Sequence, residues 1–310
     1  VAIGIPDRSV QTVGATLEWT DRLALDGLLG RRATGSHKGT YGHLLAVAGS
    51  CGKAGAAVLV GRGALRAGVG LVTVAAAESA RAEVAAHQAE IMTEPLPEAG
   101  PGVIGDDAVS RVSSLLEGRQ ALAIGPGIGT APETARAVVA ILDRITVPVV
   151  VDADGLNGIA AIGAEGLAAL RSSERETILT PHPGEAARLL GCGVPEVQED
   201  RIASAGELAK RSGAVVVLKG AGTIVAAPDG RAAVNSTGNP GMATAGTGDV
   251  LTGIVGALLA RGLDRWDAAR LGVFAHGLAG DRAAAIQGQE GLVASDVVDA
   301  LPGAMTSLVA

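Results

Sequence analysis

Aromatic side chains are nearly missing from these 310 residues: two Trp, one Tyr and one Phe make up 1% of the chain. Any core must therefore be packed from Ala, Val, Leu and Ile with closely approaching backbones, which suits helices layered on a sheet. Cysteine is scarce as well. Cys51 and Cys192 stand far apart, which excludes a disulfide framework and any cysteine-based metal-ligand spacing. Apolar runs such as Val250 to Ala260 are too short to cross a bilayer, and the first residues lack the basic and apolar regions of a secretory signal. The expectation is a soluble, cytoplasmic protein with no membrane partner. Dense basic stretches are missing too, and the formal net charge is -7. That argues against nucleic acid as a partner, so any phosphate bound here is small and held locally.

Glycine is abundant instead, at 46 residues, and its densest use carries the chemistry. Residues 235–253 form a loop rich in Gly, Asn and Thr that runs into the apolar segment Val250 to Leu259, expected as a buried helix. Gly246, Thr247 and Gly248 then fall at the helix's amino end, where N–H groups lack helical partners and the dipole adds positive charge. That is an anion hole. Asp249, in the same first turn, is a base beside a phosphate cradle, the pair of parts needed to move a phosphoryl group to or from a hydroxyl. The plainer alternative is a helix cap at which the dipole alone favours Asp249.

From Gly42 onward, short Val/Ile/Leu/Ala runs alternate with helix-length segments at the spacing of repeated βαβ units. Strands are expected near His43 to Ala48, Leu71 to Ala75, Ala121 to Gly125, Pro148 to Asp152, Thr177 to Thr180 and Ala214 to Lys219. Helices are expected over Gly55 to Ala67, Pro132 to Ile145, Gly184 to Gly191 and Asp200 to Arg211. The pattern predicts an α/β fold, a mostly parallel sheet covered on both faces with right-handed crossovers. Thr223 to Ala227, Pro228-Asp229-Gly230 and Arg231 to Val234 read as a hairpin, so short antiparallel strands should finish one edge, with only helices after them. Residues 37–310 form one domain in this reading. The chain starts at Val1 rather than Met, and Val1 to Pro6 looks like the end of a strand, so residues 1–36 read as a leader.

Ligands gather outside the carboxyl ends of strands in such a sheet, and five further loops fall there. Gly49 to Ala56 enters a helix as a phosphate or carboxamide cradle, or simply as a tight turn; it matches neither a Walker A nor a Gly-x-Gly-x-x-Gly sequence. Ile124 to Thr130 lets a ligand lie against bare glycine backbone, or is a plain turn. Val151 to Asn157 brings Asp152, Asp154 and Asn157 to a strand end, where they serve water, metal or hydroxyl contacts or merely cap a helix. In Thr180-Pro181-His182-Pro183-Gly184-Glu185, two prolines hold His182 outward and Glu185 lands where it reaches a hydrated Mg²⁺ rather than the core; the alternative is a solvated loop. Leu218 to Thr223 offers the Lys219 ammonium and flexible glycines to a nucleotide, unless Lys219 is only solvated.

Together, His37-Lys38-Gly39-Thr40-Tyr41-Gly42, Gly125 to Gly129, the Thr180 to Glu185 run, the Lys219 loop and Ala245-Gly246-Thr247-Gly248-Asp249 resemble the ADP/ATP-dependent NAD(P)H-hydrate dehydratase family, in order and over nearly everything after residue 36. The resemblance implies a ribokinase-like three-layer αβα fold with a mostly parallel central sheet and a short antiparallel edge. It also implies a carbon–oxygen lyase that uses ADP or ATP, with Mg²⁺, to dehydrate the 6S hydrate of NADH or NADPH. Its course would be phosphorylation of the ring hydroxyl and elimination of phosphate. Carried over by position, Asp249 is the catalytic base; Ala56, Gly127, His182 and Asp249 contact the hydrated cofactor. Lys219, Gly220, Ala221, Gly222, Thr223 and Gly248 bind the adenine nucleotide, Gly246 to Gly248 form the anion hole, and Glu185 meets the metal through water. His182 stands where the wider ribokinase-like group often has the Asn of Asn-x-x-Glu. The resemblance further implies a homotetramer, and makes residues 1–36 the remnant of a preceding epimerase domain plus a linker.

Two rivals share these residues. A ribokinase-fold kinase of a small vitamin-precursor alcohol would use Asp249 alike but accumulate a phosphorylated alcohol. A nucleotide-sensing regulator would tolerate Asp249→Asn.

Overall fold

Residues 16–171 and 175–310 are described by a computed structural model; Val1 to Pro6 lie outside them. In chain order the elements are β1 (Leu17–Thr20), β2 (His43–Val47), α1 (Ala54–Arg66), β3 (Leu71–Ala77), α2 (Glu78–His87), β4 (Met92–Leu96), β5 (Glu98–Gly100), β6 (Val103–Ile104) and α3 (Asp106–Leu115). Next come β7 (Ala121–Ile124), α4 (Pro132–Arg144), β8 (Val149–Val151), α5 (Ala153–Ile162), α6 (Ala164–Leu170), β9 (Thr177–Leu179), α7 (Pro183–Leu190), α8 (Val194–Glu199) and α9 (Arg201–Ser212). The chain closes with β10 (Val215–Leu218), β11 (Ile224–Ala226), β12 (Ala232–Asn235), α10 (Thr247–Ala260), α11 (Arg265–Gln287) and α12 (Ala294–Thr306).

Ten strands form one sheet in the order β1-β12-β11-β10-β9-β8-β7-β2-β3-β4. All neighbours pair parallel except those of β11, which runs antiparallel to both β10 and β12. The six expected strands and the hairpin are present, and helices alone follow Asn235. The antiparallel strand does not finish the edge, however. β1 pairs parallel with β12, Leu17 opposite Ala232 through Thr20 opposite Asn235, and so becomes the outermost strand. Expectation and structure differ at the other edge too, where β4 was not foreseen. Its sequence, Met-Thr-Glu-Pro-Leu, lacks a β-branched run, and Pro95 fits because an edge strand leaves one row of N–H groups unpaired.

Strand alternation feeds two separate cores. Leu44 and Ala46 of β2 point to one face and join α1, α10, α11 and α12, while Leu45 and Val47 point to the other and join α3, α4, α5, α7 and α9. Residues expected as leader contribute to the first core: Leu25 and Leu29 are buried, and Leu29 bridges to Val309 near the chain's end. Among the described residues, no helix is long and apolar enough to cross a membrane.

α10 and α1 pack with backbones nearly touching. A Cβ at Gly253 would lie 2.1 Å from the Val60 carbonyl oxygen, and one at Gly63 would lie 2.6 Å from that of Val250. Glycines inside a helix cost about 1 kcal/mol each relative to Ala, so they persist here for the close approach. This packing fixes where α10 begins.

Candidate active site

The parallel strands deliver their carboxyl ends to one side, and the sheet's order reverses between β2 and β7, since β3 lies beyond β2 and β8 beyond β7. Ligand sites form at such reversals. α10 starts at Thr247 with Gly246 as its N-cap at φ +89°, a left-handed conformation open to glycine. The Thr247 hydroxyl turns back toward the loop, 3.0 Å from the carbonyls of Met242 and Thr244. The first helical bond is made by Val250 N–H, to the Gly246 carbonyl. Among the described residues nothing accepts from the N–H groups of Thr247, Gly248 or Asp249, which leaves three donors for an anion. Asp249 caps nothing and is half-buried. Burial, reinforced by the nearby Asp152 charge, pushes its carboxyl from 3.8 to about 7. Asp249 is therefore not held by a capping bond.

Lys219, at the end of β10, is mostly buried and not simply solvated. Its Nζ donates to Asp152 Oδ1 at 2.8 Å and lies 3.9 Å from Glu185 Oε2. Burial pulls the ammonium's pKa down, but Asp152 and Glu185 outweigh it, so the net shift is upward and the charge is kept. Asp152 occupies the N-cap position of α5 yet makes no capping bond. Its second oxygen accepts from Thr252 Oγ1 at 2.5 Å, which ties β8 to α10 one turn beyond Asp249. A Cβ on Gly248 would stand 3.3 Å from Lys219 Nζ, so the amino end of α10 and the lysine adjoin. Ala153, between the two carboxylates, has φ +50°, the one positive value for a non-glycine among the described residues. Such strain clusters where function over-determines the backbone.

Glu185 is buried beside Lys219. Its side chain is 5% exposed and closes a capping box, Oε2 accepting from His182 N–H at 2.8 Å. Burial pushes its carboxyl up. His182 caps α7 through Nδ1, which accepts from the N–H groups of Gly184 (2.9 Å) and Glu185 (3.3 Å). Burial and the Lys219 charge lower its pKa, so the imidazole is neutral, with Nε2 carrying the proton. That nitrogen is 3.3 Å from Glu185 Oε1, and half the ring is exposed.

Ala56 and Gly127 meet across the reversal point. Gly127 has φ +68°, and a Cβ there would lie 3.0 Å from Ala56 Cβ and 3.1 Å from the Lys53 carbonyl. The Ser50 hydroxyl donates to the Gly127 carbonyl at 2.7 Å, locking the two loops together. Asp154 completes the join: it accepts from Gly129 N–H at 2.8 Å and from Lys53 Nζ at 3.1 Å. Asn157 instead accepts from Arg188, away from these groups. Thr223 closes the Lys219–Thr223 loop by donating to the Gly220 carbonyl at 2.9 Å.

The sequence profile of the NAD(P)H-hydrate dehydratase family matches residues 44–303. The chain belongs to this family. It is 42% identical over 253 residues to the ADP-dependent (S)-NAD(P)H-hydrate dehydratase of Neisseria meningitidis, covering 81% of this chain and 80% of that one. It is 44% identical over 306 residues to a bifunctional NAD(P)H-hydrate repair enzyme of Moorella thermoacetica, covering 99% of this chain but only 57% of the relative. The chain thus spans about half the length of the bifunctional relatives it matches. The crystal structure of the ADP/ATP-dependent NAD(P)H-hydrate dehydratase from Bacillus subtilis, co-crystallized with ATP/Mg²⁺, superposes with a TM-score of 0.81 at 32% identity, covering 94% of this chain and 98% of that one. The architecture is the ribokinase-like one.

For a dehydratase-family chain, the residues must also suit Mg²⁺. Among the described residues no three His, Cys, Asp or Glu side chains cluster as a metal cage. Yet three carboxylates, Asp152, Glu185 and Asp249, act on the single charge of Lys219, and both Glu185 and Asp249 are pushed up. That fits a hydrated Mg²⁺ carried on a nucleotide's phosphates, the usual manner for this ion. Sequence reasoning missed Thr252, although its place three residues after Asp249 on one helical face was a usable signal. His276 was missed without any such signal: half-buried on α11, with its buried Nε2 unpartnered among the described residues and its pKa lowered to about 4 by burial, it lies beside Thr247.

Proposed function

We infer that this chain restores NAD(P)H from its 6S hydrate at the expense of ADP or ATP, acting as a carbon–oxygen lyase. The observation that carries the reading is Asp249. An unbonded carboxylate with a pKa near 7 sits in the same helical turn as three free N–H groups and beside the Lys219 ammonium. The match to family members named for this reaction supports it.

In this mechanism Asp249 takes the proton of the ring hydroxyl, whose oxygen attacks the terminal phosphorus of the nucleotide. Thr247, Gly248 and Asp249 N–H groups hold the transferring phosphoryl where its charge develops, and Lys219 balances the phosphates from the other side. The nucleotide departs one phosphate shorter. The ring nitrogen's lone pair then expels phosphate, and loss of a proton from the neighbouring ring carbon restores the double bond. Phosphate leaves far more readily than hydroxide, so no strong acid is required. Ala56 and Gly127 seat the hydrated cofactor against bare backbone, and His182 offers it the Nε2 proton. When bound, Mg²⁺ neutralises phosphate charge, and Glu185 would meet it through water.

The test gives the protein hydrated NADH, Mg²⁺ and either ADP or ATP, then follows near-ultraviolet absorbance and inorganic phosphate together. Both should rise in step. Accumulation of a phosphorylated alcohol from a vitamin precursor instead, with no recovery of absorbance, would support the kinase. A homotetramer and a cytoplasmic location belong to the same proposal, and sedimentation velocity and cell fractionation test them.

A further inference from the structure

We infer that Arg201 is the positioning residue that shapes the nucleotide loop, holding the carbonyls of Leu218, Lys219, Ala221 and Gly222 so that the N–H groups of Gly220 and Gly222 face a bound nucleotide. Arg201 is the first residue of α9 and lies outside every motif discussed above. A cation at a helix amino end opposes the helix dipole, so its presence there calls for a compensating contact. The contact is the loop between β10 and β11. Nη1 donates to the Ala221 carbonyl and, at 3.4 Å, to that of Gly222; Nη2 donates to the carbonyls of Leu218 at 3.2 Å and Lys219 at 3.4 Å.

A trans peptide carries its C=O and the next residue's N–H on opposite sides, so turning the Lys219 and Ala221 carbonyls onto the guanidinium turns the N–H groups of Gly220 and Gly222 away from it, while Lys219 N–H is used by the Pro181 carbonyl at 2.9 Å. Among the described residues nothing accepts from the N–H groups of Gly220, Ala221 or Gly222. Successive free N–H groups in a loop of this kind make an anion-binding concavity. Packing leaves little slack. A Cβ on Gly220 would come within 2.8 Å of Nη2, and Arg201 Nε is buried without a partner. A planar five-donor fork can meet four carbonyls at once, which an ammonium with three donors cannot.

This inference rests on Lys219–Thr223 being the nucleotide loop, and the experiment separates the two. ADP binding is measured by calorimetry in Mg²⁺ for the wild type, Arg201→Lys and Arg201→Ala, alongside steady-state kinetics with hydrated NADH. Arg201→Ala should weaken ADP binding and raise its KM about tenfold or more, from loss of charge-assisted bonds. kcat at saturating ADP and the KM for hydrated NADH should stay within about twofold. Arg201→Lys should fall between, and added guanidinium ion should recover part of the Arg201→Ala loss. Circular dichroism checks folding, and should the alanine variant not fold, Arg201→Lys decides the matter alone. Folded variants that bind ADP as tightly as the wild type overturn the inference, as does an equal loss for nucleotide and hydrated cofactor. A wild type that binds ADP but restores no absorbance refutes the dehydratase reading while the Arg201 comparison still stands on calorimetry. A wild type that binds neither ADP nor ATP overturns both.

Discussion

Asp249 is held at odds with its own ionisation, and that has measurable consequences. Asp249→Asn keeps the shape but removes the base, so kcat should fall about 10²–10⁴-fold, the range of positioned general-base catalysis, with circular dichroism unchanged. In the wild type, kcat/KM should lose activity below an acidic limb near pH 7, set by the free protein's Asp249. Stability runs the other way. The folded pKa is about 7 against 3.8, so the folded state binds the extra proton, and stability falls as pH rises from about 4 to 7. Above that window Asp249→Asn should be more stable than the wild type by roughly 1–3 kcal/mol, after discounting for partial exposure. Equal melting temperatures at pH 8 would show that Asp249 carries no such strain.

Among elements, α10 matters most because one helix sets both the anion hole and the packing beneath it. Replacing Gly253 by Ala gains about 1 kcal/mol of helix propensity, but the new Cβ would stand 2.1 Å from the backbone oxygen of Val60. Backbone cannot swing aside as a flexible side chain would, so α10 and α1 must separate. Overpacking of this kind costs about 1–3 kcal/mol or more, and it wins over propensity. Gly253→Ala should therefore lower the urea midpoint, and it should reduce kcat as the amino end of α10 shifts relative to Lys219. A variant with wild-type stability and activity would mean the two helices can part freely.

Across the whole molecule, residues 17–36 join the sheet and core more firmly than their sequence suggests. A chain starting at residue 37 loses β1 and the burial of Leu25 and Leu29, which are 1% and 2% exposed. Each buried leucine is worth about 1.5–3 kcal/mol, so the shortened chain should unfold at clearly lower urea or collect in the insoluble fraction; an unchanged midpoint would make the segment dispensable. A second global prediction concerns acid. Burial, with Arg119 and Lys38 nearby, lowers His43 to about 4, so the unfolded chain binds its proton first and stability is lost as pH falls from 6.5 toward 4. His43→Gln should flatten that part of the melting profile. The alternation of apolar runs, the glycines at strand ends and the run from Gly246 to Asp249 were enough to determine the layered sheet, the start of α10 and the place of Asp249 in its first turn, because periodicity and helix-end chemistry are local. Contacts between Lys219, Asp152 and Thr252, the seat of Arg201 behind the nucleotide loop, the burial of Glu185 and the edge place of β1 were decided only by tertiary structure, since each depends on which distant segments the sheet order sets side by side.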